Sequence, residues 1–140
     1  MSHYVFPEPS DWNFDKLGHR GKLFDANASV MRSSYLIVEI DGQLPSWLTQ
    51  HMCDFVYYVL DGTGTFVVEG RTERCVQGDL VTVPAGSRFT YQGNLRMLLT
   101  STPPWTAGQE ELIDFSGNSL WDETTKSESG SSQSQPQNIR

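Results

Sequence analysis

The sequence predicts an all-β fold, a small barrel of antiparallel strands, on three observations. Short β-rich runs recur at intervals of roughly 8 to 12 residues. Turn signals separate them, several of the Asp-Gly or Gly-Asn type that supply the positive φ of tight hairpins. The only helical pattern is a weak one at Ala107 to Phe115.

In chain order the runs are Ser34 to Ile40, followed by Asp41-Gly42, and Phe55 to Leu60, followed by Asp61-Gly62-Thr63-Gly64. Thr65 to Glu69 then meets Gly70, and Leu80 to Val83 meets Pro84-Ala85-Gly86. Arg88 to Gln92 ends at Gly93-Asn94, and Leu95 to Ser101 ends before Pro103-Pro104. Strand alternation assigns the faces. If Phe55 points inward, so do Tyr57 and Val59, and if Phe89 does, so does Tyr91. Leu36, Val38 and Ile40 form an interior face that carries Arg32 and Ser34 inward near one mouth.

Four segments follow: an N-terminal arm (1–28), the barrel (29–106), a C-terminal extension packing on it (107–123) and a disordered tail (124–140). The tail is Ser-, Gln- and Gly-rich and has too little apolar content to offset the entropy of ordering. The arm holds Phe6, Trp12, Phe14, Leu17, Leu23 and Phe24 without clear periodicity. It is read either as a segment packing on the barrel or a second subunit, or as an irregular extension.

The balance of 10 basic against 17 acidic residues gives a net charge of −7. No basic run occurs, which argues against nucleic acid and anionic lipid as partners. No stretch approaches the roughly 18 apolar residues of a membrane span. Met1 to Trp12 lacks the basic and apolar regions of a secretory signal, so the expected location is cytoplasmic. Two cysteines in such a chain, Cys53 and Cys75, are expected to be reduced thiols.

Two segments resemble the cupin family. Gly78-Asp79-Leu80-Val81-Thr82-Val83-Pro84-Ala85-Gly86-Ser87-Arg88-Phe89 matches its second motif: Gly, five residues, Pro-x-Gly, two residues, then a ligand position. Val56 to Gly64 is similar to the end of the first motif, a strand running into Gly-x-Gly. Thr102-Pro103-Pro104-Trp105 resembles the exit from the last strand of small single-domain cupins. The resemblance implies a double-stranded β-helix, or jelly-roll barrel, with little helix, and a homodimer. It also implies a metal on three His and one Glu inside the barrel. Those positions here read Leu48 or Thr49, Gln50 or His51, Phe55 and Phe89. Phenylalanine has no donor atom, and a transition-metal site needs about three protein ligands, so no metal and no other cofactor is expected.

What remains is an aromatic pocket with a few polar groups, suited to a small, partly apolar or cyclic organic molecule. His51 is the histidine of the barrel segment and the candidate general acid or base, with Asp54 able to orient it, or else a turn residue facing solvent. Tyr57 and Tyr91 are candidate acids, or else buried tyrosines with structural partners. Arg32 could anchor a carboxylate or phosphate, or form a rim salt bridge with Glu39 or an arm residue. Phe55 and Phe89 fill the cavity or stack on a ligand, and Gln50 and Thr49 are candidate contacts. The function expected is metal-independent acid/base chemistry (isomerase, cyclase or lyase) on a small molecule. A non-catalytic ligand-binding or dimerising barrel is the alternative. The two phenylalanines argue against a metal-dependent oxygenase.

Overall fold

A computed structural model describes residues 4–16, 18–26, 32–106 and 110–115. Nine strands follow in order: β1 (Phe14–Lys16), β2 (His19–Leu23), β3 (Ser34–Gln43), β4 (Trp47–Gln50), β5 (Asp54–Val68), β6 (Arg71–Val76), β7 (Leu80–Val83), β8 (Arg88–Thr102) and β9 (Glu110–Ile113). Among the described residues there is no helix, hence none long and apolar enough to cross a membrane.

All pairings are antiparallel, and β8 is the hub. Its second half lies between β3 and the first half of β5, with β7 on the far edge of β5 and β2 beyond β3. Its first half pairs with the second half of β5, which also carries β6, while Phe89 and Arg88 meet β4, itself paired with β9. Three long strands therefore pass from one layer into the other, and the sheet curls around a single core. Alternation places Leu36, Val38 and Ile40, then Phe55, Tyr57 and Val59, then Phe89, Tyr91, Leu95, Met97 and Leu99 inside it.

Three expected turns are not turns. Asp41-Gly42, Asp61 to Gly64 and Gly93-Asn94 lie within β3, β5 and β8, and Gly42, Gly64 and Gly93 stand side by side in the ladders. Their composition reports a bend instead. A Cβ on Gly62 would run into the carbonyl of Asn94, and one on Gly93 would come within 2.5 Å of Gly64 Cα. Backbones this close exclude side chains, and the bulge between Val59 and Asp61 adds to the bend. Real hairpins stand elsewhere, as at Glu69-Gly70, both with positive φ.

The weak helical pattern at Ala107 to Phe115 is also overturned over its described part. Glu110–Ile113 is a strand, held in register by Trp47–Gln50. A four-residue segment takes its structure from the ladder beside it. Neither β4 nor β6 was expected: β4 is short, and β6 is an exposed edge rich in charge.

The arm contributes β1 and β2, which extend the sheet through β3. On the outer face, Glu8 bridges Lys22 and Arg96 at 2.7 Å each, and Glu39 joins Arg20 to Arg96. Burial pushes the Glu39 carboxyl up, but the hydrogen bonds from Arg20 and Arg96 outweigh it and hold it below the usual range. Trp12 lies under both Arg20 and Lys22, at 4.1 and 4.4 Å from its ring centre. The tail at 124–140 and residues 116–123 of the extension lie outside the described residues.

Candidate functional site

The polar groups of the interior converge where β2 of the arm packs on the core. Cross-strand alternation in β2 turns His19, Gly21 and Leu23 toward the barrel and Arg20 and Lys22 away from it. His19, opposite Ile40 in the ladder, places its Nε2 2.7 Å from the hydroxyl of Tyr91. The ring of Tyr57 lies 5.5 Å from that of Tyr91, and the contact between the two side chains makes Tyr57 harder to ionise and Tyr91 easier. Tyr57, Tyr91 and His19 thus form one run of side chains.

Aromatic rings fix that run in place. Phe66 stacks on Tyr91 with ring centres 4.7 Å apart, and Tyr57 packs against Phe66 at 5.1 Å. Phe89 touches Phe55, Tyr57 and Tyr91 at 6.2 to 6.3 Å. Above them Phe14 of β1 lies 5.0 Å from the His19 ring and 6.4 Å from Trp105.

Glu110 is buried at the start of β9 and near the same tyrosines. Trp105 donates its indole N–H to this carboxylate and its backbone N–H to Ser34 Oγ at 2.7 Å. The negative charge of Glu110 reaches both tyrosines. Burial is the main reason that the Tyr57 hydroxyl is pushed well above its ordinary range, followed by Tyr91 and then Glu110. Burial likewise raises Tyr91, partly offset by the contact with Tyr57. Burial also pushes up the Cys53 thiol, which makes it a poor nucleophile.

A test follows from the sign of these shifts. The fold favours the neutral hydroxyl, so its contribution is fully present below the ordinary tyrosine value of 10 and is lost as pH rises above it. In an alkaline titration the phenolates of Tyr57 and Tyr91 are expected to appear only with unfolding. Tyr57→Phe and Tyr91→Phe should therefore leave the native part of the absorbance curve unchanged. A phenolate signal lost from the folded protein in either variant would contradict the burial argument.

Several expected site residues lie elsewhere. His51 is a surface residue in the turn after β4, its side chain 61% exposed and its Nε2 2.9 Å from Glu111. The turn ends the alternation that would have aimed it inward, so it does not meet the tyrosines. Arg32 is exposed rather than inward. Glu39, its expected partner, is taken by Arg20 and Arg96. Asp54 is also exposed and accepts the Ala85 N–H at 2.8 Å. Gln50 and Thr49 are buried in β4. Gln50 stands opposite Glu110 in the ladder, and its amide oxygen accepts the Met52 N–H at 2.9 Å. Phe55 and Phe89 are interior, 4% and 0% exposed, and Tyr57 and Tyr91 face the same space.

These residues do not fit the metal that the resemblance to cupins implies. Two of the four positions are phenyl rings without a donor atom, and His51 points outward. Among the described residues no group of three or more His, Cys, Asp or Glu could hold an ion.

Sequence reasoning missed His19, Trp105 and Glu110. The signal for His19 was present in His19, Gly21 and Leu23, a period-two pattern in a segment read as aperiodic. Glu110 and Leu112 alternate in the same way, hidden under a weak helical pattern.

No protein-family model matches the chain. A curated relative, acireductone dioxygenase of Gallus gallus, is 34% identical over 76 residues, covering 46% of this chain. The chain spans 42% of that relative's length. Among solved structures, Streptomyces Pac13 with uridine superposes with a TM-score of 0.71 at 22% identity, over 82% of this chain and 93% of that one. Pac13 is described as a nucleoside dehydratase. It was solved with uridine in two tyrosine-to-phenylalanine variants and one histidine-to-glutamine variant. The cupin domain of Schizosaccharomyces pombe Cnp3 matches with a TM-score of 0.55 at 13% identity, over 63% of this chain and 66% of that one. Motif skeleton, strand pairing and structural likeness agree: this chain has the fold of the cupin superfamily.

Proposed function

We propose that this barrel binds a small, hydroxylated cyclic molecule and removes water from it by acid/base chemistry without a metal. The observation that carries this reading is the run of side chains from Tyr57 through Tyr91 to His19, and in the proposed mechanism Tyr57 donates to Tyr91 and Tyr91 to His19. In such an elimination a C–H bond breaks, its electron pair becomes the new C=C bond, and the neighbouring hydroxyl leaves with a proton as water. The Tyr57 oxygen accepts the substrate proton as its own passes to Tyr91 and that of Tyr91 passes to His19. Both tyrosines stay neutral, as burial demands, and the positive charge ends on the imidazole. The run then works in reverse and returns a proton from the imidazolium of His19 to the departing hydroxyl, which completes the water and leaves each side chain as it began. The negative charge of Glu110, felt by both tyrosines, favours the protonated imidazole in between. The likeness to a nucleoside dehydratase supports the substrate class, and the lack of donors at two metal positions supports metal independence.

The test is binding and turnover with uridine and related nucleosides, followed by calorimetry and by detection of the dehydrated product. His19→Gln is expected to lower turnover about a hundredfold or more, while His51→Gln leaves it within twofold. Saturable binding without product would make the barrel a ligand-binding module. Equal loss in both histidine variants would remove the role given to His19.

A further inference from the structure

An open concavity of about 510 Å³ lies on the sheet surface where β3, β5 and β8 bend. Its floor is bare backbone, because Gly42, Gly64 and Gly93 meet there. Around that floor stand Asp41, Gln43, Gln92 and Asn94, with Thr63 and Thr65 between them and Arg74 reaching in from β6.

None of these side chains makes a hydrogen bond or ion pair with another described residue. The side-chain polar groups that face this space are thus all open to a ligand. Their chemistry is selective. One carboxylate and one guanidinium cancel, so a neutral molecule suits the groove better than an anion. Three amides and two hydroxyls offer donors and acceptors together, which matches groups that also do both. No aromatic or aliphatic side chain lines the groove, so it offers a nucleobase or an apolar ring nothing to stack on.

We propose that this groove binds a neutral polyhydroxylated small molecule, a free sugar or cyclic polyol, at a site separate from the run of Tyr57, Tyr91 and His19. Vicinal hydroxyls bridge Asp41 and the amides, Arg74 closes the outer side, and the glycine floor lets the ring approach the backbone.

The experiment is an amide chemical-shift titration of the full chain with myo-inositol, methyl glucoside and, separately, uridine. The first two are expected to give saturable shifts at Gly42, Gly64 and Gly93. Arg74→Ala and Asn94→Ala, both at exposed positions, should weaken that binding about fivefold each while leaving the spectrum of the core unchanged. Absent or non-saturating shifts would overturn the proposal. So would polyol shifts that cluster at Tyr57 and Tyr91 instead, or binding unaffected by either substitution.

Discussion

Replacement of Tyr91 by phenylalanine is expected to lower turnover by about 10²- to 10⁴-fold, far more than it lowers stability. Tyr91 is the middle of the run, its ring 5.5 Å from that of Tyr57 and its hydroxyl 2.7 Å from His19 Nε2. Without its oxygen the Tyr57 proton has no route to the imidazole. The folded state loses something too, because the buried Tyr57 hydroxyl then lacks its partner, at a cost of about 1–3 kcal/mol. Tyr57→Phe is the informative companion. It leaves the Tyr91–His19 pair intact and removes the group that the proposed mechanism sets against the substrate. Both variants should fold, and thermal melts with kinetics on the same samples separate the two effects. A Tyr91→Phe protein that retains more than about a tenth of its turnover would sink the relay.

The second large effect concerns stability. Phe89 is fully buried among Phe55, Tyr57 and Tyr91, and Phe89→Ala is expected to destabilise the fold by about 3–5 kcal/mol. A cavity at this point faces three strands that are pinned by their ladders, so the surroundings cannot collapse to fill it. Phe89→Leu should recover most of the loss. A thermal or urea melt decides the matter. A cost below about 1 kcal/mol for the alanine variant would mean that the ring occupies open space and is available to a ligand.

These expectations show what was legible in the sequence. Alternation placed Phe55, Tyr57, Phe89 and Tyr91 correctly because each lies in a regular stretch of a long strand, where a period of two is enforced by pairing on both sides. The Pro84-Ala85-Gly86 reversal was equally legible, being a local matter of backbone conformation. Long-range placement was not. His51 lies just past the end of β4, where the alternation stops, and no local signal says which way a turn residue points. His19 comes from a segment whose partner, β3, begins eleven residues after β2 ends. Its role is decided by that pairing and by Tyr91, 72 residues away. The glycine pairs misled for a related reason. A hairpin and a close crossing of two backbones both call for glycine, and only the partner strand tells them apart.

The position of β8 has a consequence for the order in which the molecule can assemble. This strand, Arg88–Thr102, pairs with β3, β4 and β5, all of which precede it in the chain. A nascent chain emerging from the ribosome can form the β5–β6 hairpin and the β5–β7 pairing early, yet it cannot close the core until β8 has been made. Most of the stabilising contacts are therefore of long sequence separation, which places the barrel among slow-folding topologies. It also leaves the apolar faces of β3 and β5 exposed for that interval, the stage at which such a chain is most vulnerable to aggregation.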